Sequence, residues 1–97
     1  MKLELLRSAL QDLDWASRYY GRVFPQGRKN FRSSFKATQK ILKENPYLGT
    51  RLEDNEGVRR LIIVKTPFAI IYRVTKTHIE VIRVLDTRSD NSKLRFD

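Results

Sequence analysis

The chain has 97 residues, with 20 Lys and Arg against 11 Asp and Glu and a formal charge of +9. That length supports one domain with one core and leaves no room for a separate catalytic domain, while the charge calls for an acidic partner: nucleic acid, an acidic protein or an anionic surface. The lack of cysteine excludes disulfides, thiolate metal sites and a cysteine nucleophile, and it fits a reducing, cytoplasmic setting.

A single His without Cys cannot supply the usual zinc set, so neither a metal nor another cofactor is expected. The opening MKLELLRSALQDLDW carries Glu4, Asp12 and Asp14 and has no apolar h-region, so it does not read as a signal peptide. No apolar run approaches the roughly 18 residues that a membrane span needs.

Lys2 to Leu6 alternates apolar and polar residues, a weak strand signal. Ser8 and Gln11 have the spacing of a capping box. Ala9, Leu13, Ala16 and Tyr20 then recur on one helical face, and Gly21 offers a stop. Trp15 and Tyr19 lie on another side of this helix, where either a second core layer or a binding partner would cover them. A second helix runs from Pro25 to about Glu44. Phe31, Phe35, Thr38 and Leu42 form its inner stripe, widened by Ile41, and Lys29, Arg32, Lys36, Lys40 and Lys43 line its opposite side. That stripe reads either as a solvated face or, since no acids interleave it, as a surface for an acidic partner. Asn45–Pro46 ends the helix, and the short link between the helices predicts an antiparallel hairpin.

Tyr47 to Gly57 reads as the one long connection. Three strands are predicted beyond it, at Arg59–Lys65, Phe68–Thr75 and His78–Leu85, joined by links too short for a crossover helix and so paired antiparallel. The runs LIIV and AIIY indicate that both sheet faces are at least partly covered. Tyr72 reads as core, His78 as a surface turn residue and Asn91–Asp97 as a frayed polar tail. Arg59 and Arg60 project to opposite faces, with Glu53 or Asp54 as possible ion-pair partners. Arg83 sits inside an apolar strand, where an unpaired buried guanidinium is costly, so it either pairs with an acid or lies on an open face; the favoured expectation is an open face.

The order β-α-α-β-β-β, with the DLD of Asp12–Asp14, NPYLG of Asn45–Gly49, RRL of Arg59–Leu61, IIYRV of Ile70–Val74, IEVIRVL of Ile79–Leu85 and the closing Arg88, resembles the RelE/ParE superfamily of type II toxin–antitoxin systems over nearly the whole chain. The resemblance implies a single α+β toxin domain over residues 1–97, a small curved antiparallel sheet packed on an N-terminal helical hairpin. RelE-like members cut mRNA on the ribosome with sheet-face cations and a Tyr or His after the last strand. This chain has neither residue after His78, only Asp86, Asp90 and Asp97; an ordinary Asp titrates near 3.9, far from a base working at neutrality. Ala69 also stands where RelE-like chains carry Arg. Arg60, Lys65, Arg73, Arg83 and Arg88 remain as phosphate-binding cations.

The run RRLIIVKTPFAIIYRV has the ParE spacing, although Asp86 stands where ParE-like chains often carry His. The ParE-like branch is therefore favoured. It implies non-covalent inhibition of DNA gyrase, with Arg60, Arg83 and Arg88 as target contacts and no catalytic residue. It further implies a cognate antitoxin whose acidic segment folds onto the toxin, with Trp15 and Tyr19 as candidate contacts, and operator DNA reached only through the antitoxin. The alternative is a ribosome-dependent mRNA endoribonuclease.

Overall fold

The computed structural model describes residues 1–55 and 57–88; the predicted tail at Asn91–Asp97 lies outside them. The elements in chain order are β1 (Lys2–Leu5), α1 (Arg7–Val23), α2 (Pro25–Glu44), β2 (Thr50–Arg51), β3 (Val58–Ile62), β4 (Phe68–Val74) and β5 (His78–Asp86). They form an α+β domain with a helical hairpin on one face of a five-stranded sheet of order β1-β5-β4-β3-β2. Three predicted strands match to within a few residues and pair antiparallel as expected. The sheet as a whole is mixed, because β1 adds parallel to β5, from Lys2 opposite His78 to Leu5 opposite Val81. The chain between β1 and β5 includes the helical hairpin, which supplies the crossover that a parallel pair requires. The connection after α2 also contains β2, a two-residue strand on β3, too short to leave an alternation in the sequence.

The α1 start differs from the capping-box reading. Leu6 is the cap residue, makes no side-chain cap bond, and donates its N–H to the carbonyl of Val81 at 3.0 Å. The strand thus runs straight into the helix, and Ser8 falls inside the first turn. The helix also runs two residues past Gly21. A Cβ at Gly21 would lie 1.8 Å from the Arg28 guanidinium, whose Nε–H donates to the Ser17 carbonyl at 2.9 Å. Glycine here admits a cation that ties α2 to α1. Only Phe24 separates the helices.

The predicted helix faces are the ones that pack. Ala9, Ala16, Phe31, Phe35 and Leu42 join Ile63, Phe68, Ile70, Tyr72, Ile79, Val81 and Val84 in one core, flanked by Leu13 and Tyr20, and Thr38 is buried with them. Ile41 does not widen the stripe: it is 40% exposed, because its position is turned about 90° from the stripe centre at 100° per residue. The opposite sheet face carries a smaller cluster of Val58 and Ile71 against Leu52, Ile82 and Leu85, so both faces are partly covered, as the apolar runs indicate. A register shift between Ile71 and Tyr72 leaves Ile82 unpaired in β5, a bulge that re-aims the residues following it.

Candidate functional site

Alternation along β3 decides where the paired arginines go. Val58 belongs to the cluster on the face away from the helices and Leu61 packs on the main core, so Arg60 and Ile62 share the open face and Arg59 turns to the other. Both Arg60 and Ile62 are exposed. Arg59 is absorbed by structure: Nη1 donates to the carbonyls of Tyr47 at 3.2 Å and Gly49 at 2.8 Å, and the guanidinium carbon lies 5.2 Å from the Tyr47 ring centre. Neither arginine meets Glu53 or Asp54 in an ion pair among the described residues.

The expectation of an open face for Arg83 is corrected. Its Nε donates to Asp12 Oδ2 at 2.8 Å and its Nη2 to Asp12 Oδ1 at 3.0 Å, a bidentate, charge-assisted pair. Asp12 Oδ2 also accepts the Val84 N–H at 2.9 Å. The physical reason lies in the sheet edge. β1 covers β5 only as far as Val81, which leaves the N–H groups beyond it without a strand neighbour, and α1 brings a carboxylate to that stretch. The pairing holds the Arg83 guanidinium more firmly protonated, chiefly through the hydrogen bonds to Asp12 and against the pull of burial. Its Nη1 makes no hydrogen bond among the described residues, and the side chain remains 31% exposed.

Arg88 lies at the end of β5 and is largely exposed, with Nε and Nη2 donating to the two Asp86 oxygens at 3.0 and 2.8 Å. Those bonds hold the Asp86 carboxyl below its usual range, further from use as a general base. Asp90 and Asp97, the other sequence candidates for proton transfer, lie outside the described residues. Tyr72 is fully buried, as predicted; burial pushes its phenol up, opposed by the Gly49 N–H that donates to it at 2.8 Å. Burial likewise raises the Tyr20 phenol. Lys65 sits in the β3–β4 turn at φ 62°, a left-handed backbone, and is exposed. Arg73 lies across from Val58 and Glu80. Arg60 is thus the exposed sequence-predicted cation on the strands of the open face, with Lys65 in the β3–β4 turn and Arg88 beyond the end of β5.

His78 opens β5 directly after the predicted turn and is half-buried. Its Nδ1 lies 2.8 Å from the Thr77 hydroxyl, and its Nε2 is 3.4 Å from oxygens of both Glu4 and Glu80. Glu4 and Glu80 are register partners on β1 and β5, so the imidazole sits between carboxylates that would otherwise repel across the strands. Strand alternation puts Glu80 on the same side as His78, and the parallel pairing adds Glu4 to this grouping of three possible metal ligands, which is why the full set escaped the sequence reading. Asp12 is the other residue whose role was missed; its signals were the DLD run of Asp12–Asp14 and its place within a turn of the buried positions Ala9 and Ala16.

Trp15 and Tyr19 are 58% and 43% exposed, so the core does not cover them. Their rings stack with centres 5.3 Å apart and planes within 7°, a preformed apolar plate. A separate groove of about 540 Å³ lies between the helices, floored by Leu13, Phe31 and Phe35 and rimmed by Asp14, Arg32 and Lys36; the aromatic plate is not part of its wall. Tyr19, at one end of the plate, acts on the Arg88 charge together with Tyr20, both more weakly than Asp86 does.

Residues 3–91 match the family model described as ParE toxin of type II toxin-antitoxin system, parDE. The chain belongs to the ParE toxin family. A solved structure described as the chromosomal ParDE TA system from P. aeruginosa is similar to this ParE-family chain, at 27% sequence identity and TM-score 0.74, over 87% of this chain and 92% of that one. No curated protein matches the chain. Among the described residues, no helix of this ParE-family toxin is long and apolar enough to cross a membrane.

Proposed function

We propose that this chain is a cytoplasmic toxin that inhibits DNA gyrase by non-covalent binding and is neutralised by a cognate antitoxin. The observation that carries the reading is the chemistry of the open face, together with the family match. Arg60 offers an exposed cation there, while the candidate acid–base groups among the described residues are tied up. Asp86 is held ionised by Arg88, Tyr72 is buried and His78 is boxed by two carboxylates. A cationic surface without a proton shuttle suits docking better than phosphodiester cleavage. Arg60 and Arg88 are the principal target contacts in this reading, and Arg83 contributes only the edge that Asp12 leaves open.

The antitoxin reading rests on the plate of Trp15 and Tyr19 and on the net charge of +9. An acidic segment that folds on binding would bury the stacked rings and place its carboxylates near Arg88. In this reading neutralisation comes from occupancy, the bound segment running from the aromatic plate over Arg88. Operator DNA is reached through the antitoxin's own DNA-binding part.

The test is a supercoiling assay run beside primer extension on mRNA translated by 70S ribosomes. The expected result is blocked supercoiling, restored by the antitoxin, with intact mRNA; codon-specific cuts by the purified protein would replace this reading with a ribosome-dependent endoribonuclease. Arg60→Ala is expected to weaken gyrase inhibition by about 10-fold or more, the typical effect of truncating an interface arginine. Its thermal stability should stay within about 0.5 kcal/mol of the parent, as for exposed positions generally.

A further inference from the structure

From α2 we infer a second interaction surface, a direct binding site for the phosphate backbone of duplex DNA. Lys29, Arg32, Lys36, Lys40 and Lys43 are all exposed. At 100° per residue, their positions fall within an arc of about 80°, and at 1.5 Å per residue they extend over about 21 Å. The helix holds six basic residues, including the internally bonded Arg28, and a single acid, Glu44, a net +5 (six minus one). No ion pair engages these five side chains among the described residues, in contrast to Arg18, Arg83 and Arg88, each of which has a carboxylate partner.

The chemistry of the stripe selects its ligand. Ser33, Ala37 and Gln39 flank it, and Lys36, Lys40 and Lys43 border one shallow depression with those same residues. The stripe has no exposed large apolar side chain; Ile41, the exposed one on this stretch, projects to a different side. An acidic peptide segment needs apolar anchors to offset the entropy lost on ordering; the groove floored by Leu13, Phe31 and Phe35 meets the stripe only at Arg32 and Lys36, and Lys29, Lys40 and Lys43 have no large apolar side chain of that groove beside them. Duplex DNA needs none, since it carries a charge about every 1.7 Å of axis and binds through counterion release. Four of the five cations are lysines, point charges that suit phosphates without the fork geometry used to read bases. The site is therefore sequence-independent. It lies on the helix side of the domain, whereas Arg60 lies on the opposite sheet face, so one molecule can touch a protein target and DNA together. The choice of DNA over RNA rests on the gyrase reading above, and the site adds a direct contact to the one made through the antitoxin.

The experiment is fluorescence anisotropy of the full chain on a 20-bp duplex, without gyrase or antitoxin, from 50 to 200 mM salt. With three to five phosphates engaged, the plot of log K against log salt should slope at about −3 to −4.5, a loss of about 60- to 500-fold across that range. Lys36→Gln/Lys40→Gln/Lys43→Gln should flatten the slope by about 2 to 3 and weaken binding more than 10-fold at the lowest salt. Three results would overturn the inference: no binding below about 100 μM at 50 mM salt, an unchanged slope in the triple variant, or tighter binding to a single-stranded RNA or a poly-glutamate peptide. A gyrase pull-down without DNA reads the earlier proposal separately. Loss of gyrase binding sinks that proposal whatever the duplex shows, and a failed duplex assay sinks the α2 site even where gyrase binds.

Discussion

Asp12→Ala is expected to cost about 2–4 kcal/mol, somewhat under the roughly 3–5 kcal/mol of a fully buried pair because the Arg83 side chain stays 31% exposed. For a domain of this size that lowers the melting temperature by about 10–20 °C. The cost is large because one carboxylate serves two clients. It accepts both donors of the Arg83 fork and the Val84 N–H, so its loss strands a guanidinium and a backbone donor at the same place. Asp12→Asn should fall between, since the amide oxygen can still accept from Val84 but has no charge for Arg83. Replacing both partners by apolar residues, Asp12→Leu with Arg83→Met, should recover much of the loss. A melting change below about 1 kcal/mol for Asp12→Ala would mean that the pair behaves as a surface bridge. Arg83→Ala carries the same warning for function: reduced toxicity in that variant reports lost stability before it reports a lost target contact, so Arg60 is the cleaner probe.

Gly49→Ala is expected to destabilise by about 2–3 kcal/mol, the cost of overpacking a site that cannot yield. An added Cβ would lie 2.7 Å from the Tyr72 hydroxyl and 2.9 Å from the Arg60 carbonyl. The first belongs to a fully buried ring that accepts the Gly49 N–H; the second is strand backbone. Arg59 also clasps the Gly49 carbonyl at 2.8 Å, so the segment cannot swing away without losing that bond. The change should therefore disturb β3, which positions Arg60. Denaturant melts beside Gly57→Ala make the check. A Cβ added at Gly57 would meet nothing within 4 Å, but the backbone there has a φ of +81°, so the cost is conformational alone, about 1 kcal/mol. Equal losses at the two positions would remove the packing argument. The Tyr72 phenol also gives a pH signature. Its folded pKa is raised above the ordinary 10.0, so the unfolded chain releases its proton first and stability falls as pH climbs past that value. Tyr72→Phe should reduce that alkaline slope and leave the share due to Tyr20, which is raised as well.

The sequence by itself determined the parts of this protein that follow from short-range rules. Phe31, Phe35, Thr38 and Leu42 announce the buried face of α2 because helical geometry brings residues three and four apart together, and Tyr72 reads as core from its apolar run. The turns at Thr66–Pro67 and Lys76–Thr77 delimit β4, and the order of elements with the paired arginines suffices for the family. Tertiary structure alone decided what depends on residues far apart in the chain. Asp12 and Arg83 are 71 positions apart, and their meeting depends on where β1 stops along β5. The contact of Glu4 with His78 follows from a parallel pairing that no local pattern encodes, and β2 exists only because β3 is there to receive it. The physical reason is the same throughout: periodicity shows which side of an element is apolar, but a charged side chain becomes a binding group or a structural clasp according to which carboxylate the fold carries to it.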